Sequence, residues 1–215
     1  MKARLRELLD QGQVERIADM AAGKRRVLGT LVSLTYDADS QIAWRAVEAM
    51  GLAADRVARD NPEYVRNHLR RLYWLLSEES GGLCWRAPEA MAEILHHQPQ
   101  QFVDYVPIVV SLITSMADED LDHFRAGVLW AIGRLGPAAG DHVPAVLPAI
   151  HSALDDSDPQ VRGMAVWCLG QLGLAQHLAD RPDLLEDQEP VDFYENGILR
   201  RTSVGELVRR ASSSR

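Results

Sequence analysis

A chain of 215 residues, 47% hydrophobic and 25% charged, can bury one domain or a short repeat array without help from metals or disulfides. Its net charge of −8 weighs against generic nucleic-acid binding and favours a protein or peptide partner of basic character. No stretch approaches the roughly 20 apolar residues of a membrane span and the first residues lack a signal-peptide core, so a soluble cytoplasmic protein is expected, with Cys84 and Cys168 as reduced thiols.

From the N-terminus, Leu5, Leu8 and Leu9, then Val14, Ile17 and Met20, fall at helical spacing and predict one or two short capping helices. Beyond them the chain repeats itself. Residues 44 to 50 read Trp-Arg-Ala-Val-Glu-Ala-Met, and residues 85 to 91 read Trp-Arg-Ala-Pro-Glu-Ala-Met, six of seven matching at an offset of 41. Looser copies run from Phe124 to Gly133 and from Val161 to Gly170, giving successive spacings of 41, 41 and 37 residues, the length of a two-helix solenoid repeat. Each copy follows an apolar helical stripe: Val27 to Leu34, Val65 to Leu76, Val106 to Ile113 and Val143 to Leu154. Asn61-Pro62 reads as an N-cap with proline in the first turn, Pro107 and Pro144 as opening-turn prolines, and Pro148 as a kink. Pro88 predicts a helix start that leaves Trp85 on a loop with Gly81 and Gly82.

The run Asp158-Pro159-Gln160-Val161-Arg162, followed by Ala165, Leu169 and Gly170, resembles the second helix of a HEAT repeat of the bilin-lyase-like (PBS lyase) subtype. The first copy, Asp39-Ser40-Gln41-Ile42 with Ala46, Ala49, Met50 and Gly51, is similar but has Ala43 where that family carries Arg. The resemblance covers about residues 24 to 175. It implies an all-α fold, an α-solenoid (α-α superhelix) of about four HEAT-like helix pairs. Residues 1–180 would form the solenoid with its N-terminal caps, and residues 181–215 a C-terminal β-hairpin and short helix. The family name implies little chemistry, since such arrays serve many purposes.

The C-terminal expectation comes from the residues. Val191 to Arg200 places apolar runs on either side of Asn196-Gly197, a hairpin signal, and Ser203-Val204-Gly205-Glu206 is a capping box opening a helix through about Ala211. An isolated hairpin is marginal, so Phe193, Tyr194 and Ile198 need a docking surface.

In each second helix the slots of Ile42, Ala46, Ala49 and Met50, or Val161, Ala165, Cys168 and Leu169, define a core side. The opposite side carries Trp44, Glu48 and Gly51; Trp85, Glu89 and Ala92; Ala126, Trp130 and Gly133; Gly163, Trp167 and Gly170. In a HEAT-type stack these positions line the concave surface, so the four tryptophans form a candidate binding stripe, bordered by Arg45, Arg86, Arg134 and Gln171. Three fates are open for it: packing between repeats, with Trp130 over Ala126 and Trp167 over Gly163; coverage by the hairpin or a second subunit; or an open groove for a protein or peptide. Hairpin coverage from a second subunit would make a homodimer.

No zinc-protease spacing, phosphate loop or nucleophile elbow occurs, so no catalytic residue, metal ligand or cofactor is assigned. HEAT-like DNA glycosylases pair aromatic side chains with a carboxylate on the concave face, and Trp44 with Glu48 or Trp85 with Glu89 has that i, i+4 geometry. The acidic balance opposes this enzyme reading. The repeat subtype adds a bilin-lyase-like or chaperone-like alternative, and a non-catalytic scaffold is preferred.

Overall fold

The computed structural model describes residues 1–76, 86–115 and 124–213. They group into two compact units, Met1–Tyr105 with Tyr194–Leu199, and Val106–Phe193 with Arg200–Arg215.

The first unit contains α1 (Lys2–Asp10), α2 (Val14–Gly23), α3 (Arg26–Val32), α4 (Ser40–Ala58), α5 (Pro62–Trp74) and α6 (Ala87–His97). The Asp39 carboxylate caps α4 by accepting the Gln41 amide at 2.9 Å, and the Asn61 side chain caps α5 by accepting the Tyr64 amide at 3.0 Å, with Pro62 in the first turn. The other helices pack around α4. They can do so because α4 carries mostly small apolar residues, Ala43, Ala46, Ala49, Gly51, Ala53, Ala54 and Ala58, and buries them on nearly every side. The expectation that Gly51 lies on a side turned away from the core is therefore corrected. A methyl group there would stand 2.8 Å from the Glu93 carbonyl oxygen, so α6 lies directly on it.

The second unit contains α7 (Val106–Ser115), α8 (Arg125–Leu135), α9 (Val143–Ala153), α10 (Pro159–Gln171), α11 (Pro182–Glu186) and α12 (Val204–Ser213). Helix α7 packs on α8 and α9, and α10 packs on α8, α9 and α12. Helix α9 continues through Pro148. Asp158 repeats the Asp39 cap, accepting the Gln160 amide at 2.9 Å, and Ser203 caps α12 through the Glu206 amide at 3.3 Å. The repeat glycines again admit the next layer: a methyl on Gly133 would meet Trp167 of α10 at 2.6 Å, and one on Gly170 would meet Ala211 of α12 at 2.9 Å. A glycine at the end of the repeat motif is thus where the following helix makes its closest approach.

The hairpin forms as expected from β1 (Pro190–Glu195) and β2 (Ile198–Ser203). Asn196 (φ 51°) and Gly197 (φ 77°) are both left-handed, as a two-residue type I′ turn requires. The tip of the hairpin belongs to the first unit and its stem to the second. Helix α11 has no counterpart in the sequence expectations. Among the described residues no helix is long and apolar enough to cross a membrane.

Candidate binding faces of α4 and α10

In the first unit, Gln41, Trp44, Arg45 and Glu48 follow one another along one side of α4, at the i, i+3, i+4 and i+7 spacing that keeps them on a single stripe. The hairpin tip lies on this stripe. Tyr194 stacks on Trp44 with ring centroids 5.2 Å apart and planes 6° from parallel, and its hydroxyl donates to the Glu48 carboxylate. Burial, with the Glu48 charge adding, pushes the Tyr194 hydroxyl far above its ordinary pKa, so it remains a donor. The Gln41 side chain binds the backbone at two points: its Nε2 donates to the Gly197 carbonyl at 2.9 Å, and its Oε1 accepts the Leu199 amide at 2.8 Å. Arg45 donates from Nε to the same Gly197 carbonyl at 3.0 Å, while its Nη1 holds the carbonyls of Leu9 and Asp10 at the end of α1 at 2.9 and 2.8 Å.

Trp44 is also contacted by Arg86, the residue before α6. The Arg86 guanidinium lies 4.2 Å from the centroid of the indole, a cation–π contact within the chain. Arg86 also approaches Glu89, with Nη1 3.4 Å from Oε1. Glu89 and Glu93 are each only 2% exposed. Burial raises the Glu89 pKa against the opposing pull of Arg86, and its Oε2 has no hydrogen-bond partner among the described residues. Glu93 faces His97 at 3.8 Å.

In the second unit the stem of the hairpin lies on α10. Gln160 repeats the two-point contact, its Nε2 donating to the Asp192 carbonyl and its Oε1 accepting the Asp192 amide, both at 2.8 Å. A methyl on Gly163 would meet Val191 at 2.7 Å, and Phe193 meets Trp167 edge-on at 5.7 Å. Trp167 stacks in turn on Trp130 at 5.8 Å and 13°. The pairing of Trp167 with Gly163 is thus corrected: Val191 fills the space beside Gly163, and Trp167 lies over Gly133 of α8.

The structure brings Trp44, Arg45, Glu48, Arg86 and Glu89 into one cluster, and Trp130 and Trp167 into another. Trp44 and Trp130 are 7% and 3% exposed, Trp167 and Arg134 are half-buried, and Gln171 is exposed. Trp85 and the loop expected around it, with Gly81, Gly82 and Cys84, lie outside the described residues. Cys168 is buried, and burial pushes its thiol up, which makes it unreactive. Among the described residues no three metal-binding side chains come together.

Gln41 and Gln160 are the residues that sequence reasoning missed. Both sit two positions after the capping Asp, 119 residues apart, the same offset that separates Trp44 from Gly163. The recurrence is visible in the sequence, but a polar residue in a first helical turn is ordinary and by itself signals no binding role.

Residues 109–191 match the family model for HEAT repeats. An uncharacterized protein of Archaeoglobus fulgidus is 33% identical over 104 residues, 48% of this chain and 51% of that protein, so the match spans about half the length of that curated relative. Among solved structures, a computationally designed armadillo repeat protein for modular peptide recognition is similar at TM-score 0.50 and 18% identity, covering 100% of this chain and 99% of that one. A designed armadillo repeat protein in complex with the peptide (KR)4 is similar at TM-score 0.50 and 18% identity, covering 98% of both chains. At these identities the likeness is one of fold: an armadillo/HEAT-like repeat solenoid with a small C-terminal hairpin.

Proposed function

We propose that the chain is a non-catalytic cytoplasmic scaffold that binds a polypeptide segment through the second helices of its repeats. The observation that carries this reading is the recurrence of one contact. At equivalent repeat positions, Gln41 and Gln160 each grip a backbone through a donor and an acceptor at once. Backbone contacts of this kind hold a chain in register whatever its sequence, and neighbouring side-chain slots add preference. Trp44, Arg45, Glu48, Arg86 and Glu89 would supply the slots in the first unit, and Trp130, Arg134, Trp167 and Gln171 those in the second. Residues 1–180 act as the scaffold and residues 181–215 as an appended segment. The charge of −8 supports a partner segment that is basic in sum. The neighbour solved with the peptide (KR)4 lends the same support by analogy of fold. The Asp158-Pro159-Gln160-Val161-Arg162 run supports placing the repeats in the bilin-lyase-like subtype.

Selection of a displayed random-peptide library on the full chain tests this. Peptides enriched by the wild type should lose about tenfold or more in affinity on Gln41→Ala combined with Gln160→Ala, as loss of central contacts does. Enrichment no better than background, or peptides indifferent to a double variant that keeps its helical circular dichroism, would remove the scaffold reading.

A further inference from the structure

The peptide-scaffold reading underlies this inference, which names a ligand class for one of its faces. We propose that the α4 face made by Gln41, Trp44, Arg45 and Glu48 is a binding site for a tyrosine-bearing turn of a partner polypeptide, and that residues 194–199 occupy it in cis as a replaceable stand-in.

The contacts are divided as a peptide site divides them. In the turn, Gln41 and Arg45 address only the backbone, at Gly197 and Leu199, while Arg45 is anchored from behind by the carbonyls of Leu9 and Asp10. One side chain, Tyr194, enters a slot. The slot selects a phenol on two grounds. The flat face of Trp44 takes a ring in parallel stacking, and Glu48 needs a donor at the far end of that ring. A phenylalanine would stack but leave the half-buried carboxylate without its donor. A lysine or arginine would meet cations already in place, the Arg86 guanidinium on the same indole and Arg45 beside the turn. A phosphorylated tyrosine would set its charge against Glu48. The turn is specified as well, because the Gly197 carbonyl reaches both Gln41 and Arg45 from a left-handed residue that glycine adopts freely.

The tip is also held differently from the stem. Val191 and Phe193 of the stem are 1% exposed, and Gly163 leaves no room for Val191 to shift toward α10. In the tip, Tyr194 is buried as well, but Asn196 and Ile198 face solvent, Ile198 being 52% exposed, and the rest of the grip is hydrogen bonds. Water or a partner can replace hydrogen bonds at small net cost, whereas extracting buried apolar side chains carries the full transfer penalty. The tip has one buried ring to withdraw, which a partner's ring replaces, against two apolar side chains in the stem, so the tip is the part released more easily.

The test uses the full chain and a fluorescently labelled peptide with the sequence of residues 191–200 as the probe, read by anisotropy. Tyr194→Ala empties the slot in cis and should bind the probe about tenfold more tightly than the wild type. Adding Gln41→Ala should reverse that gain, and a probe with phenylalanine in place of its tyrosine should bind several-fold more weakly. Equal binding by the wild type and Tyr194→Ala, no binding by a Tyr194→Ala chain that unfolds cooperatively, or indifference to Gln41→Ala would overturn the proposal. Library peptides that lack tyrosine yet depend on Gln41 would leave the scaffold reading standing while this site fell.

Discussion

At Gly133 the space for a side chain has already been taken. A methyl group there would lie 2.6 Å from Trp167 Cζ3 and 3.0 Å from the Cα of Cys168. An indole stacked on Trp130 and a helix backbone both resist displacement. Gly133→Ala is expected to lower the unfolding free energy by about 1–3 kcal/mol, whereas Gly29→Ala, inside α3 where an added methyl would meet nothing within 4 Å beyond its own helix backbone, should raise it by up to about 1 kcal/mol. Urea unfolding of both variants beside the wild type measures this; effects of the same sign would contradict it. His68 offers a second handle. Its Nε2 lies 3.5 Å from Met50 Sδ, and burial, aided by the charge of Arg71, lowers its pKa from 6.5 to about 4. Between those values the unfolded chain holds the proton and the folded chain does not, so stability falls on acidification, by at most about 1.4 kcal/mol per pH unit. Comparing unfolding at pH 7 and pH 5, His68→Gln should lose less stability than the wild type. A parallel loss in both would show that His68 does not titrate as its burial demands. At this scale the sequence identified part of the core: Ile42, Ala46, Ala49 and Met50 are buried as their spacing requires, but Trp44, Gly51, Trp130 and Gly133, expected on a side turned away from the core, are buried too. It could not identify which glycine Trp167 would meet, because Gly133 and Gly163 are equally small and equally helical.

Helix α4 shows what a run of small residues does to an element. With its alanines and Gly51 admitting neighbours on nearly every side, its backbone amides should be the slowest to exchange with deuterium in the first unit, and those of α1 faster. Amide exchange read by mass spectrometry checks the order, and an α4 that exchanges as fast as α1 would mean that its packing is loose. The starts of α5 and α12 were legible because Asn61 and Ser203 cap with their own side chains, a local device written in adjacent residues that Asp39 and Asp158 also use. The I′ turn was legible for the same reason, Asn196 and Gly197 being the residues that tolerate left-handed backbone. Helix α11, five residues long, is too short to show a period and was missed.

Across the molecule, the repeat, its length, the helix pairs and the C-terminal hairpin are all legible in the order of the residues. All of these depend on periodicities and caps confined to a few turns of chain. The sequence also marked Trp44, Trp130 and Trp167 as one set, since they recur in register. What lies against them is settled only once the chain has folded. Tyr194 and Glu48 are 146 positions apart, and the strand that Gln160 holds is 32 positions away, distances over which no local pattern operates. Burial of a helix face depends on which other segment comes to rest on it. That choice is made by the summed packing and hydrogen bonding of the folded chain, so the face could be found from its own residues but its occupant could not.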